Sequence, residues 1–312
     1  MSGPEPRDPA SVAVEQALRV VARSTLRVLL TGPRGVGKSR YAGEIHRWSG
    51  RRGPFLVFDC GAVRPDLVEA ELFGSVRGAF TGADRDRDGL VDAAAGGTLF
   101  LDEVGELSFE NQGRLLAFLG SGVYRRVGCT MPRQASIRVV AASHRDLRAS
   151  LRPELYDRLA ERVVAIPALA DRPGDVVPLA EQFVRQWAAE EGTIARSLAP
   201  DLVEALVARS WPGNVRELSS AIHVGVVEAA AEGSPRLHAR HLRSAVVPDA
   251  AAPVPDRSSS RWHRQRDELD RVRLLDLLHH HDWRITAVAR ALGLHRQRVH
   301  ERMRALGIRR HG

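Results

Sequence analysis

Eight residues, Gly32 to Ser39 (GPRGVGKS), restrict the possible folds of this chain more than any other feature. Their spacing, G-x-x-x-x-G-K-[ST], is typical of a loop between a strand and a helix whose backbone N–H groups surround phosphates. The context fits, because an apolar run from Leu26 to Leu30 precedes the loop and helical spacing follows it to about Trp48. The sequence therefore predicts a nucleoside triphosphate site formed by Gly32, Pro33, Arg34, Gly35, Val36, Gly37, Lys38 and Ser39.

The lysine of this loop, Lys38, is the only lysine in a chain that has 45 arginines. A compact ammonium on a flexible stem reaches between β- and γ-phosphates. A planar guanidinium is wider and suits two parallel acceptors, so arginine is a poor substitute there. The single lysine therefore supports the assignment of a phosphate-binding loop.

A second apolar run, Thr98 to Leu101, ends in two acids, Asp102 and Glu103. In a parallel sheet the carboxyl ends of the strands meet at one edge, so these acids are expected beside the phosphates. We predict that Ser39 and Asp102 hold Mg²⁺, Asp102 through water, and that Glu103 orients and polarises the attacking water. The alternative, an acidic pair that caps a helix after a strand, would be favoured if the phosphate loop were absent.

Strand and helix signals alternate over residues 1–175, which predicts an α/β domain with a parallel sheet and helices on both faces. Ser11 is expected to open a first helix over residues 11–23. Four strands are expected, at residues 26–30, 55–58, 97–101 and 137–141.

The rest of the chain is predicted to be helical. Residues 176–247 have helical spacing without strand signals, which indicates a helical subdomain. Residues 248–261 are rich in Pro, Ala and Ser and are interpreted as a linker. Residues 262–312 are expected to form an all-α domain of three helices.

The whole net charge of +8 lies in the last 56 residues, because residues 257–312 contain 14 Arg and 6 acidic residues while the preceding part is balanced. Concentrated basic charge on a helical module indicates nucleic-acid binding. Residues 284–305 are interpreted as a helix-turn-helix. The helix before it, residues 262–280, has apolar spacing that suits either a dimer or a core. The predicted DNA contacts are His295, Arg296, Gln297 and Arg298 at base edges and Arg302 at a phosphate.

The apolar runs, the N-terminal residues and the cysteine count argue against a membrane-spanning protein and against a secreted, disulfide-bonded one. No apolar run approaches the ~20 residues that cross a bilayer, and the N-terminus lacks the features of a secretory signal. Cys60 and Cys129 are the only cysteines, and two distant thiols fit a reducing, cytoplasmic location better than a disulfide framework.

Residues 78–83 read GAFTGA, and with four further motifs they carry a resemblance to a known family. The chain resembles the bacterial enhancer-binding proteins, the AAA+ activators of sigma-54 RNA polymerase, over about residues 12–308. The five motifs occur in the family's order. Besides GAFTGA they are Glu71 to Gly74, Gly96 to Val104, Leu151 to Leu159 and Trp211 to Leu218.

The resemblance implies an AAA+ core at residues 1–175, its helical lid at 176–247, and a Fis-like domain at 262–312 that binds double-stranded enhancer DNA. It also implies ATP as the nucleotide and assembly into a ring, expected to be a hexamer. The small residues around one aromatic side chain suit a mobile loop. By resemblance this loop contacts sigma-54 through Gly78, Ala79, Phe80, Thr81, Gly82 and Ala83.

Further roles follow from the same resemblance. Arg152 and Arg158 would reach the γ-phosphate bound to a neighbouring subunit, and Arg216 would contact the nucleotide in cis. Ser143 and His144 lie where the family has its sensor I residue. Asp59 replaces an Asn that restrains the catalytic Glu, and two nearby carboxylates repel each other unless one is protonated, so basal hydrolysis is expected to be altered.

The expected function is ATP-driven activation of sigma-54 RNA polymerase. The alternative is a DNA-binding repressor or scaffold with a non-remodelling ATPase domain, which the substitution at position 59 leaves open. A small-molecule kinase would have no use for a helix-turn-helix. Only about 25 residues precede the first strand, too few for a sensory domain, so control is expected from a separate regulatory protein or from expression level; a truncated gene is the alternative.

Overall fold

The computed structural model describes residues 8–80, 82–195 and 197–242, together with residues 278, 283, 285, 288, 303 and 308. The chain divides into two compact units, residues 1–247 and 248–312. In the second unit Leu278, Val288 and Ile308 are buried. The linker and the predicted DNA contacts lie outside the described residues: His295, Arg296, Gln297, Arg298 and Arg302. No described helix is long and apolar enough to cross a membrane.

The first unit alternates helices and strands through its first 165 residues. In chain order the described helices α1–α9 are Pro9–Ala22, Lys38–Ser49, Val68–Phe73, Leu90–Ala93, Phe109–Ser121, Pro153–Leu159, Val176–Glu190, Pro200–Val207 and Asn214–Ala231. The strands β1–β9 are Val28–Thr31, Phe55–Asp59, Thr98–Asp102, Val123–Tyr124, Arg133–Gln134, Arg138–Ser143, Arg162–Ala165, Ser197–Leu198 and Arg236–Leu237.

Five strands form one parallel sheet in the order β2-β3-β6-β1-β7. Successive side chains of a strand point to opposite faces, so Leu29 and Leu99 pack on one face and Leu30 and Phe100 on the other. The first face is covered by α3, α5 and α6, and the second by α1 and α2. The predicted parallel α/β sheet with helices on both faces is therefore confirmed.

Two local predictions are wrong. The sheet has a fifth strand, β7, which pairs with β1 at its edge and buries only Val164 of its four residues. The first helix begins at Pro9 rather than at Ser11. Asp8 is its N-cap and accepts a hydrogen bond from the N–H of Ala10 at 2.9 Å, while Pro9 occupies a position that needs no donor.

Helices α7, α8 and α9 form a separate apolar cluster, the lid. Its largest fully buried side chain is Trp211, which is 1% exposed and donates through its indole N–H to the carbonyl of Leu206 at 2.8 Å. Trp211 and Asn214 both have positive φ (50° and 55°), so the chain turns sharply before α9 begins. This turn brings the start of α9 against the phosphate loop.

Candidate functional site

The phosphate loop joins β1 to α2 and contains three glycines with positive φ, Gly32, Gly35 and Gly37 (143°, 77° and 102°). Two of them lie against other backbone. A Cβ atom at Gly32 would lie 2.4 Å from the carbonyl oxygen of Ile166, and one at Gly35 would lie 2.3 Å from that of Gly213. Side chains are therefore excluded from this turn. Because α2 begins directly after the loop, its first N–H groups, which have no partner within the helix, are available to an anion.

Lys38 is enclosed by the loop and by the acids of β3. Its Nζ donates to the carbonyl oxygens of Gly32 and Pro33 at 3.0 and 3.1 Å, and the residue is 7% exposed. Burial lowers the pKa of the ammonium, and the carboxylates of Asp102 and Glu103 oppose that effect. Lys38 of the phosphate loop and the two acids after the apolar strand line the same cavity.

The two acids at the end of β3 have different surroundings. The hydroxyl of Ser39 donates to Oδ2 of Asp102 at 3.1 Å. Burial raises the pKa of Asp102, and the hydrogen bond from Ser39 opposes that shift. Glu103 follows in the left-handed conformation (φ 51°), at a cost of roughly 1–2 kcal/mol for a residue other than glycine. Strain of this kind is concentrated at functional sites.

The carboxylate of Glu103 contacts His144, directly after β6. Nδ1 of His144 lies 2.6 Å from Oε2 of Glu103, and the backbone N–H of His144 donates to the same oxygen at 3.3 Å. Ser143 is 1% exposed, and its hydroxyl oxygen accepts the N–H of Arg145 at 3.0 Å. Of the two predicted sensor residues, His144 contacts the predicted catalytic acid and Ser143 stabilises its own turn.

Asp59, at the end of β2, uses its carboxylate locally. Oδ1 accepts the N–H of Gly61 at 2.9 Å, and the residue is exposed. Glu103 is therefore bound by the imidazole of His144 rather than by the side chain at position 59. No sequence signal indicates this histidine contact, because it depends on β3 and β6 being neighbours in the sheet.

These groups surround a cavity of about 700 Å³. It brings together nine of the predicted residues: Arg34, Gly35, Gly37, Lys38, Ser39, Asp59, Asp102, Glu103 and Arg216. Three further residues, Gly61, Ala62 and Glu106, line it without having been predicted. Glu106 forms an ion pair with Arg145 at 2.7 Å. No sequence signal distinguished it from other acids, because its position depends on the turn after Glu103.

The two candidate trans arginines, Arg152 and Arg158, do not line this cavity. Arg152 precedes α6, and its guanidinium lies 3.6 Å from the centroid of the Phe109 ring and donates to the Phe109 carbonyl at 3.0 Å. Arg158 lies within α6 and is exposed, and its side chain makes no hydrogen bond or ion pair with the described part of the chain. Arg158 is thus available to a second molecule, whereas Arg152 is engaged within its own chain.

The GAFTGA segment forms a loop closed by its own backbone. The N–H of Gly78 donates to the carbonyl of Ala83 at 2.9 Å, and that of Ala83 donates to Phe80 at 3.0 Å. Gly78 and Gly82 have positive φ (79° and 98°), and nothing lies within 4 Å of a Cβ atom built on either. Phe80 is 40% exposed, which is unusual for a large apolar side chain held in a closed turn. Thr81 lies outside the described residues.

The base of this loop is anchored to two neighbouring segments. Ser75 and Arg87 exchange backbone hydrogen bonds at 2.9 Å, and the N–H of Val76 donates to the carbonyl of Val127 at 3.0 Å. Asp86 then accepts the N–H of Arg77 at 2.9 Å. Backbone pairing therefore holds the base, whereas Gly78 and Gly82, at the tip of the loop, have open space around them.

Comparisons with known proteins agree with this arrangement. A family model described as the Sigma-54 interaction domain matches residues 6–166, one described as the AAA+ ATPase lid domain matches 170–258, and one described as Bacterial regulatory protein, Fis family, matches 265–306. NtrX from Brucella abortus in complex with ATP has a TM-score of 0.69 at 28% identity, covering 97% of this chain and 68% of that chain. Its complex with ADP has a TM-score of 0.70 at 27% identity over the same shares.

Two curated relatives are transcription regulators by name. The anaerobic nitric oxide reductase transcription regulator NorR of Aeromonas hydrophila is 37% identical over 321 residues, 97% of this chain and 63% of that protein. The transcriptional regulatory protein GlrR of Escherichia coli is 41% identical over 222 residues, 69% of this chain and 50% of that protein. The chain spans less than two thirds of the length of either relative. It belongs to the family of the Sigma-54 interaction domain, with an AAA+ lid and a Fis-family module following that domain.

Proposed function

We propose that the chain is an ATP-dependent activator of sigma-54 RNA polymerase. The observation that carries the proposal is the grouping of Lys38, Ser39, Asp102 and Glu103 around one cavity in a unit that also presents Phe80 on an exposed loop. The first feature suits hydrolysis of a nucleoside triphosphate, and the second suits contact with a partner. Membership of the sigma-54 interaction family connects the two.

In this proposal the phosphate loop binds the triphosphate through its backbone N–H groups, and Lys38 neutralises charge on the β- and γ-phosphates. Arg216, which lines the same cavity, contacts the nucleotide from the lid. Glu103 orients and polarises the attacking water. Because its carboxylate is bonded to His144, Glu103 exchanges that contact for the water during each turnover.

The donor set beside the loop fits Mg²⁺. Ser39 Oγ and Asp102 Oδ2 are hard oxygen donors 3.1 Å apart, and Mg²⁺ is commonly held by one or two such groups together with phosphate oxygens and water. Bound there, Mg²⁺ would supply charge that offsets the developing charge on the phosphates. The same carboxylate, raised in pKa by burial, is ionised more readily next to a cation.

We propose that ATP hydrolysis is coupled to transcription through an assembly of several copies of the chain. Copies of the chain form a ring, proposed to be a hexamer, in which Arg158 of one copy neutralises charge at the nucleotide of the next. Hydrolysis moves the loop at Gly78 to Ala83 against sigma-54. The Fis-family module binds double-stranded enhancer DNA through the predicted contacts at residues 295–298 and Arg302.

The domain partition proposed for this activator follows the sequence analysis. Residues 1–175 are the ATPase core, residues 176–247 are the lid, residues 248–261 are a linker, and residues 262–312 are the DNA-binding domain. Support comes from the separate apolar cluster of the lid helices and from the division of the chain into units at residue 247. Limited proteolysis with mass spectrometry tests it, with cleavage expected first within residues 248–261.

The test measures ATP hydrolysis and promoter opening together, with purified chain, sigma-54 RNA polymerase and a pre-melted promoter. Glu103→Gln is expected to lower hydrolysis at least ~100-fold and to abolish opening, since the base is lost. Thr81→Ala is expected to keep hydrolysis and lose opening. Glu110→Gln is the matched control, because Glu110 is 81% exposed on α5.

Three outcomes separate the possibilities. Hydrolysis and opening by the wild-type chain, with the losses stated above, support the activator. Hydrolysis without opening by the wild-type chain would contradict it and favour the DNA-binding repressor or scaffold. Absence of hydrolysis at any protein concentration would remove the ATPase on which the proposal depends.

A further inference from the structure

The lid and the segment that leads into it touch three consecutive residues of the phosphate loop. Nδ2 of Asn214 donates to the carbonyl of Arg34 at 2.9 Å, and Nη2 of Arg172 donates to the carbonyl of Val36 at 2.7 Å. Between them Gly35 lies against the backbone of Gly213. Neither Arg172 nor Asn214 lines the nucleotide cavity, and they are 2% and 3% exposed.

Asn214 connects three segments through one amide. Its Oδ1 accepts the N–H of Leu169 at 2.7 Å, where the chain enters the lid, while Nδ2 reaches the phosphate loop. Asn214 has a φ of 55°, and asparagine is among the few residues that adopt this conformation readily. The start of α9, the entry to the lid and the phosphate loop are therefore fixed to one another by a single side chain.

Arg172 makes a second connection on the other side of Gly35. Besides Val36, its guanidinium lies 3.4 Å from the hydroxyl of Ser11 and 3.7 Å from the carboxylate of Asp175. That carboxylate also accepts the N–H of Asp8 at 3.0 Å. A buried guanidinium is costly unless paired, so the ion pair and the carbonyl of Val36 together hold it in place.

We propose that Asn214 at the start of α9 and Arg172 in the segment that leads into the lid are positioning residues. They hold the backbone of the phosphate loop against these two segments, so that nucleotide affinity and lid position are coupled through loop carbonyls. This proposal rests on the nucleotide site proposed above. It adds a route that does not pass through Arg216, which contacts the nucleotide itself. Coupling of this kind is reciprocal. If bound nucleotide strengthens one of these contacts by some factor, removing the contact lowers nucleotide affinity by the same factor.

The chain offers a matched control in Arg138. It too is 2% exposed, and its guanidinium donates to backbone carbonyls, including those of Ser24 at 2.9 Å and Val21 at 2.8 Å. Arg138 begins β6, so it lies at the amino end of the sheet, opposite the phosphate loop. Arg138→Met therefore removes an equally buried guanidinium without touching the loop.

The experiment measures the affinity of the whole 312-residue chain for fluorescent ADP and the ADP-induced rise in melting temperature. The variants are Arg172→Met, Asn214→Asp and Arg138→Met. Asn214→Asp keeps the acceptor for Leu169 and the tolerance of positive φ, but replaces the donor to Arg34 with an acceptor. We expect ADP affinity to fall about 10-fold for Arg172→Met and Asn214→Asp, within the usual range of coupling, and to stay unchanged for Arg138→Met.

A reduced melting temperature with ADP affinity within twofold of the wild type, for both Arg172→Met and Asn214→Asp, would show that the two residues are only structural. If Arg172→Met does not fold, Asn214→Asp decides alone. It keeps the side-chain volume and replaces the amide that donates to Arg34 and Pro212 with a carboxyl group. In the double variant Asn214→Asp/Arg216→Ala the two losses are expected to add, and a loss no larger than that of Arg216→Ala would overturn the separate route. Failure of the wild-type chain to bind ADP would instead remove the proposed nucleotide site.

Discussion

The nucleotide site and the GAFTGA loop are built in opposite ways. Around the nucleotide cavity, Lys38, Asp102 and Glu103 are each bonded to a different strand, loop or helix, and much of the supporting structure is buried. The loop at Gly78 to Ala83 is closed by its own backbone, and the glycines in it have open space around them. The first arrangement fixes reacting groups, whereas the second leaves a tip free to change position without disturbing the core.

The largest expected difference between the two regions is in stability. Phe100 in β3 is fully buried, and Phe100→Ala is expected to lower the free energy of unfolding by about 3–5 kcal/mol, because it leaves a cavity next to the acids. Phe80→Ala, at a 40% exposed residue, is expected to change it by less than ~0.5 kcal/mol. Urea unfolding measures both. Equal losses would mean that the loop is part of the core.

We expect a smaller effect on ATP affinity when the positive charge of Lys38 is removed. Lys38→Met keeps the length of the side chain but removes the charge, and charge-assisted hydrogen bonds contribute about 1.5–3 kcal/mol. ATP affinity is therefore expected to fall at least about 10-fold in a fluorescence titration. Phe80→Ala serves as the control and is expected to keep the wild-type affinity. Unchanged affinity in Lys38→Met would contradict the assignment of the loop.

Within the loop region, the base and the tip are expected to differ. Gly74 has a φ of 82°, and a Cβ atom there would lie 2.5 Å from the carbonyl oxygen of Arg87. Gly78 has a similar φ of 79° but open space. Gly78→Ala is expected to cost about 1 kcal/mol from strain alone and Gly74→Ala about 2 kcal/mol, since it adds a steric clash. Thermal unfolding at pH 7 compares them, and the reverse order would mean that the tip is the packed part.

The smallest expected effect is a difference between Cys60 and Cys129 in their rate of alkylation. This difference does not involve a change in the free energy of unfolding. Cys60 follows β2 and is 3% exposed, and burial raises the pKa of its thiol well above the ordinary value, so it carries almost no thiolate at pH 8. Cys129, near the base of the loop, is partly exposed. Iodoacetamide followed by mass spectrometry is expected to modify Cys129 first and Cys60 only after unfolding. Raising the pH to 9 is expected to change the rate at Cys60 little, because its pKa remains higher still.

The parts of the site that can be predicted from the sequence are those whose function requires a fixed spacing between residues close in the chain. The phosphate loop and the acids after β3 were predicted because their backbone geometry depends on residues close in the chain. The strand β7 was missed because three of its four residues are exposed and its position is fixed by pairing with β1, more than 130 residues earlier. The predicted start of the first helix at Ser11 is too late, because the prediction does not include the proline that occupies its first position.

The contacts that hold the site together were not predictable for a related reason. Arg172 is one of 45 arginines, and nothing in its sequence neighbourhood separates it from those on the surface. Asn214 was included in a motif, but its bridge to Arg34 and Leu169 appears only when the lid packs on the loop. The contact between Glu103 and His144 likewise requires the sheet order that joins β3 to β6.

The order of strands also affects how the chain matures during synthesis. β1, which leads into the phosphate loop, is flanked by β6 and β7, so it has neither neighbour until residues 138–165 have left the ribosome. Pairing over such sequence distances is slow, because a long segment must close before the contact forms. The loop therefore lacks these neighbours through about the first half of translation, and nucleotide can assist its folding only after that point. A nascent chain arrested before residue 160 would consequently gain no protection from ATP.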